Sequence, residues 1–195
     1  MVDGNSDLQS LIGRAKVFNT DLFQDLPDGL HQVLVDANQS QRQLSDTELQ
    51  RFAWYSNLSF EQLLALRALV DPCVGQTRQA LALHHPGLFV AGGPLATPER
   101  AQACWRDCTN FYRVVMYAVA AARPRFCDQQ SIDALNELYL VMNVPIDGLA
   151  FALRQLGSIS SVSFEALYGR SRVAALLQDS FDNLCELLFG GSVTT

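Results

Sequence analysis

No run of lysines and arginines occurs in this chain. No stretch alternates apolar and polar residues as a half-buried strand does, and no apolar run is long enough for a bilayer. Each absence excludes a class. With no basic run, a net charge of −6 and a pI near 4.9, nothing offers itself to a nucleic acid or to an anionic membrane surface. The longest apolar run, Val114 to Ala122, is about half of what a membrane-spanning helix needs. The polar, acidic start Met1-Val2-Asp3-Gly4-Asn5-Ser6-Asp7 is no signal peptide, so a soluble cytosolic protein is the expectation. The five cysteines (Cys73, Cys104, Cys108, Cys127 and Cys185) are odd in number and scattered, which argues against a disulfide framework. No CxxC or His/Cys cluster has zinc-site spacing. Nucleophile–base pairs, phosphate loops and carboxylate dyads are likewise missing, so no enzyme is expected.

What the chain does have is apolar residues in helical order. It is 49% hydrophobic and 17% charged over 195 residues, enough for one packed domain with an appendage. From Asp7 to Leu34 the apolar positions predict two short helical pieces divided at Pro27-Asp28-Gly29. Ser45-Asp46-Thr47-Glu48 is a capping box that opens a helix to about Tyr55, and Ser59-Phe60-Glu61-Gln62 repeats the device. Asp71-Pro72 reads as N-cap and N1 of a restarted helix ending at His84-His85-Pro86-Gly87. Past the turn at Gly92-Gly93-Pro94, Thr97-Pro98-Glu99 starts the longest apolar helix, which runs to about Ala122 before Pro124. Helices over Gln129–Met142 and from Pro145 to about Leu156 follow. A serine-rich break from Gly157 to Ser163 then precedes one or two last helices ending near Phe189. Seven to nine helices without strands predict an all-α domain with globin-like crossings.

Several separate motifs on these elements resemble the phycobiliprotein family, most of all the alpha-type subunits of allophycocyanin. They are Val35-Asp36-Ala37 through Arg42 with Leu44-Ser45 and Glu48-Leu49, then His85-Pro86-Gly87-Leu88 with Gly92-Gly93, and then Cys104-x-Arg106-Asp107. Arg113 and Tyr117, Ala134-Leu135-x-Glu137-Leu138-Tyr139, Val144-Pro145-Ile146-Asp147 and Phe181-Asp182 continue the likeness. The resemblance implies an all-α, globin-like phycobiliprotein fold with an N-terminal helical pair. It divides the chain into a domain over residues 33–195 and an N-terminal helical extension over residues 1–32, which has no counterpart in ordinary allophycocyanin subunits. Asn110-Phe111 replaces a pair of aromatics, Ala122-Arg123 replaces a glycine-containing turn, and Ala103 stands where many members carry a basic residue. These departures suggest a divergent paralogue.

The resemblance also implies a light-harvesting role and a phycocyanobilin-like linear tetrapyrrole joined by a thioether to Cys104. Asp107, one helical turn further on the same face, has a carboxylate able to accept the pyrrole N–H bonds, and Arg106 has a fork suited to a propionate. Without that context these are a buried cysteine and a surface pair of charges. Phe111, Tyr112 and Tyr139 are candidates to wall the rings, though each also suits ordinary core, Tyr112 above all. Thr97 and Pro98 suit the pocket rim. Cys108, four residues after Cys104, makes a dithiol site conceivable but lacks further ligands. His84-His85 at a helix end suits a surface or capping role better than haem.

Implied partners are phycobiliprotein subunits, a beta-type partner or a second copy, with core or linker proteins of a phycobilisome on the cytoplasmic face of the thylakoid. Asp36, Asp46 and Arg113 are the charges expected near such a contact, and Leu44, Leu49 and Phe52 the apolar surface. The extension, with Leu22, Phe23 and Leu26, either blocks ring stacking, recruits another protein or folds back on its own domain. A pigment-free regulatory or assembly protein of the same fold is the alternative, and a bilin or haem sensor a weaker one.

Overall fold

The computed structural model describes residues 4–190, so the acidic start Met1–Asp3 lies outside the described residues. Among the described residues there are nine α-helices and no strand: α1 Gly4–Arg14, α2 Asp28–Gln39, α3 Asp46–Ser56, α4 Phe60–Ala68, α5 Val70–His84, α6 Pro98–Ala120, α7 Gln129–Val141, α8 Ile146–Tyr168 and α9 Arg172–Phe189. Two 3-10 turns, Thr20–Phe23 and Pro86–Leu88, join them. None of these helices is long and apolar enough to cross a membrane.

Helix α6 organises the rest. Every residue from Phe111 to Ala120 is buried, because α3, α4, α5, α8 and α9 all pack against it. A helix apolar on all sides suits only such a central position. Its N-terminal half is amphipathic and runs out of the core toward solvent.

Caps set the ends as the sequence predicts. Ser45 Oγ accepts from the Glu48 N–H while the Glu48 carboxylate accepts from the Ser45 N–H, completing the capping box. Thr97 Oγ1 accepts from Arg100 N–H with Pro98 at N1. The restart expected at Asp71-Pro72 comes two residues earlier. Helix α5 begins at Val70 after Leu69, which offers no side-chain cap, and Pro72 falls inside the first turn, where a missing N–H costs little.

One other boundary is corrected. The serine-rich break from Gly157 to Ser163 is not a break, because α8 runs unbroken to Tyr168. Leu153, Leu156, Ser160 and Phe164 hold a buried face at helical spacing, and Ser160 Oγ donates to the Leu156 carbonyl. At Gly157 an added Cβ would stand 3.0 Å from Cβ and Cγ of Phe181. Small residues here let α9 approach, so packing overrides weak local propensity. Helix α6 ends before Pro124 in a left-handed corner. Ala122 has φ 54°, its N–H bonds the Val119 carbonyl, and Arg123 N–H bonds the Ala118 carbonyl. That is a Schellman closure with alanine at the position that favours glycine.

The N-terminal stretch also differs from two pieces split at Pro27. Helix α1 ends at Arg14, a link with a bend at Val17-Phe18 follows, and Pro27 is the N-cap of α2. Phe18, Phe23 and Leu26 are buried in the same apolar cluster as α6. Phe18 stacks on Phe23 with centroids 4.9 Å apart and meets Tyr117 edge-on at 5.4 Å. Arg123 donates to both Asp25 carboxylate oxygens and to the Leu22 carbonyl, and lies 5.9 Å from the Phe23 ring centroid. The extension therefore folds back on its own domain. Leu44, Leu49 and Phe52, expected to face a partner, lie in this chain's own core. On α3 the exposed aromatics are Trp54, 88% accessible, and the less exposed Tyr55.

Candidate functional site

One face of α6 carries Ala103, Cys104, Arg106, Asp107, Asn110, Phe111, Arg113 and Val114 along one stripe at three- and four-residue spacing. Across from it stand Leu135, Leu138 and Tyr139 of α7 with Met142 at its C-cap, then Gly148 and Leu149 at the start of α8. The corner between α7 and α8 is a Schellman turn with Asn143 at φ 53°. There Val144 N–H bonds the Tyr139 carbonyl and Asn143 N–H the Leu140 carbonyl, the residue type such a corner takes. Pro94 and Leu95 border one side. The turn before them folds tightly: Gly92 has φ +86°, and a Cβ at Gly93 would stand 2.5 Å from the Gly87 carbonyl oxygen, so neither position tolerates a side chain.

Between these walls is a cavity of about 650 Å³, within the roughly 300–1,000 Å³ typical of small-molecule sites. Cys104, Arg106, Asp107, Phe111 and Tyr139 all line it; Tyr112 does not. One residue further round the helix from Phe111, Tyr112 points into the core, donates its hydroxyl to the Leu66 carbonyl at 2.9 Å and packs edge-on against Phe181. Thr97, Pro98 and the His84-His85 pair are also off the cavity wall, the two histidines packing against Phe151. Among the described residues no group of three metal-ligating side chains exists.

Sequence reasoning missed the far end of the cavity, where Ala15, Lys16, Val17 and Phe18 stand beside Asn38, Gln41 and Arg113. No local signal marks residues 15–18, because only the docking of α1 along α7 brings them there. Arg113 carried a signal, being two turns beyond Arg106 on the same stripe. It is buried, its Nη1 donates to the Tyr117 hydroxyl at 2.8 Å, and its Nε has no partner. Of the charges expected at a partner contact, Asp46 pairs with Arg67 and Asp36 accepts from Gln32.

The electrostatics of the cavity are unlike those of the whole chain. Four basic residues (Lys16, Arg100, Arg106, Arg113) and two acidic ones (Glu99, Asp107) line it, in a protein of net charge −6. Burial raises the pKa of Asp107, and Arg106 opposes this. The Asp107 carboxylate accepts no hydrogen bond and joins no ion pair among the described residues. The Cys104 thiol is half-buried; the Cys108 thiol, one turn away and fully buried, donates to it and lowers its pKa below the ordinary thiol value. Cys108 is itself driven upward by that same bond and by burial.

A family profile described as "Phycobilisome protein" matches residues 32–188. The chain belongs to that family. Among similar proteins are the C-phycocyanin-2 beta subunit of a Synechococcus strain, 27% identical over 66% of this chain and 76% of the relative, and the R-phycoerythrin beta chain of Aglaothamnion neglectum, 26% identical over 66% and 74%. The allophycocyanin beta chain of Aglaothamnion neglectum is 23% identical over 70% of this chain and 86% of its own length. These three are beta chains, where the motifs had resembled alpha-type allophycocyanin subunits most. Phycobiliproteins are light-harvesting pigment proteins and not enzymes. They bind linear tetrapyrroles covalently and assemble with other phycobiliprotein subunits. The phycobilisome family implies an assembly on the thylakoid surface.

The cavity's donor set fits such a group. Asp107 is an acceptor with no protein donor, Arg106 and Arg113 have guanidinium N–H groups to spare, Phe111 and Tyr139 provide aromatic walls, and Cys104 is an accessible sulfur nucleophile.

Proposed function

We propose that this chain carries one phycocyanobilin-like linear tetrapyrrole on Cys104 and passes excitation to neighbouring subunits within or near a phycobilisome. The observation that supports this most is a single cavity wall holding Cys104, Arg106 and Asp107, with the Asp107 carboxylate unpartnered inside it. The pigment, when bound, supplies visible absorption and an excited state able to transfer energy.

The chain's own residues do the rest. Cys104 Sγ adds across a carbon–carbon double bond of the pigment's side chain. The resulting thioether would hold the pigment, with the thiol proton taken up by the adjacent carbon in place of the π bond, so no oxidant would be needed. Asp107 accepts the inner N–H groups with a charge-assisted bond strengthened by its low-dielectric setting. Arg106 binds a carboxylate through its fork. Phe111 and Tyr139 limit ring torsion and exclude water.

Co-expression with a bilin supply and a lyase tests this reading. The expected product is coloured and keeps zinc-enhanced fluorescence on a denaturing gel, and Cys104→Ser loses that denaturation-resistant signal. A colourless wild-type chain, with and without lyases, would contradict it.

A pigment-free regulatory or assembly role in a phycobilisome is the second reading, favoured by one feature. The extension seats Phe18 against Tyr117 and is tied down at Arg123, contacts that form within the chain and require no pigment. It requires capture of phycobilisome subunits by a colourless chain, lost on removing residues 1–32.

A further inference from the structure

Lys16 is the only lysine in the chain, and it lies on the wall of the same cavity as Cys104 and Asp107. Its position is fixed from both sides. On one side, Ala15 N–H bonds the Leu11 carbonyl at the end of α1, and α1 packs along α7. On the other, Phe18 is buried among Phe23, Tyr117 and Phe126. Asn19 N–H bonds the Phe126 carbonyl, and Asn19 Nδ2 donates to Asp128 at 2.8 Å. Residues 15–17 are therefore a short span held across the end of the cavity. A span fixed at both ends loses little entropy on meeting a ligand.

Two of the other cations on that wall are already partly engaged. Arg100 donates to the Met142 carbonyl and Arg113 to the Tyr117 hydroxyl. Lys16 and Arg106 make no ion pair among the described residues. Lys16 also borders a smaller polar hollow with Asp21 and Asp128 but pairs with neither. Next to the cysteine, position 103 is alanine, so α6 itself offers no cation there. A linear tetrapyrrole of this class carries two carboxylates, and Arg106 accounts for one.

We propose that Lys16 binds the second carboxylate of the tetrapyrrole, making the N-terminal extension part of the pigment site. This rests on the pigment-carrying reading above. Lys16 is exposed, so its contribution is that of a solvent-screened pair, and it acts on affinity rather than on attachment chemistry.

The test measures reversible binding of phycocyanobilin and of its dimethyl ester to the full chain with Cys104→Ser, which prevents thioether formation. Adding Lys16→Ala is expected to weaken binding of the free diacid about two- to fivefold, with no change for the ester and no change in thermal midpoint. Lys16→Arg is expected to restore diacid binding, and high salt to erase the difference. Equal diacid affinities with lysine and alanine at position 16 would overturn the role of Lys16 and leave the pigment reading intact. Failure of the lysine-bearing chain to bind either compound would overturn both.

Discussion

Cys104 and Cys108 face each other across one turn of α6, one near the cavity and the other fully buried. Because Cys108 donates to the Cys104 sulfur and lowers its pKa, the thiolate needed for attachment forms at lower pH than in an ordinary cysteine. Attachment rate is thus expected to rise with pH with a midpoint below the ordinary thiol value of 9.0. Cys108→Ala removes the donor and is expected to move that profile to higher pH, read by the rate of thioether formation in a pH series. An unmoved profile would show that the pair does not set reactivity. At this scale the sequence was legible where spacing alone decides the face. Cys104, Arg106, Asp107 and Phe111 share a stripe because three- and four-residue steps return to one side of a helix. Tyr112 fails by the same rule, being about 100° further round. Lys16 was not legible, because nothing local ties it to a helix so distant in sequence.

The helix ends show where local chemistry decides and where packing does. Ser45, Ser59 and Thr97 cap α3, α4 and α6 as read, since a hydroxyl and an N–H three residues on suffice. The run from Gly157 to Ser163 misled because its small residues belong to a helix–helix contact with α9, which no local rule contains. The α6 corner holds Ala122 at φ 54°, a conformation costing alanine about 1 kcal/mol over glycine. Ala122→Gly is expected to stabilise the protein by about 0.5–1 kcal/mol, checked by chemical denaturation. Gly157→Leu is expected to do the reverse by about 1–3 kcal/mol, since its side chain meets the Phe181 ring.

For the molecule as a whole, the pair Arg42–Glu48 makes stability depend on pH. The Arg42 guanidinium, with the Ser45 N–H and hydroxyl, holds the Glu48 pKa at about 2 against an ordinary 4.5. A lowered folded-state value stabilises above 4.5, and the benefit is lost as pH falls toward 2. Arg42 is 40% exposed, so screening holds the effect to about 1 kcal/mol. Glu48→Gln is expected to lower stability by that amount at neutral pH and to match wild type near pH 2, read from thermal midpoints across the range. The family, the all-α fold and the main wall of the cavity were legible, because each rests on local periodicity or on motif spacing. The closing of the far end by the extension was not, because it follows from burying Phe18 and Phe23 against α6, each worth about 1.5–3 kcal/mol.

The most direct measurement is the mass of the tryptic peptide over residues 101–106, taken from the chain made with a bilin supply. The account expects that peptide to carry the pigment on Cys104. Recovery of the peptide with a free thiol, with pigment absent or bound to another cysteine, would contradict it.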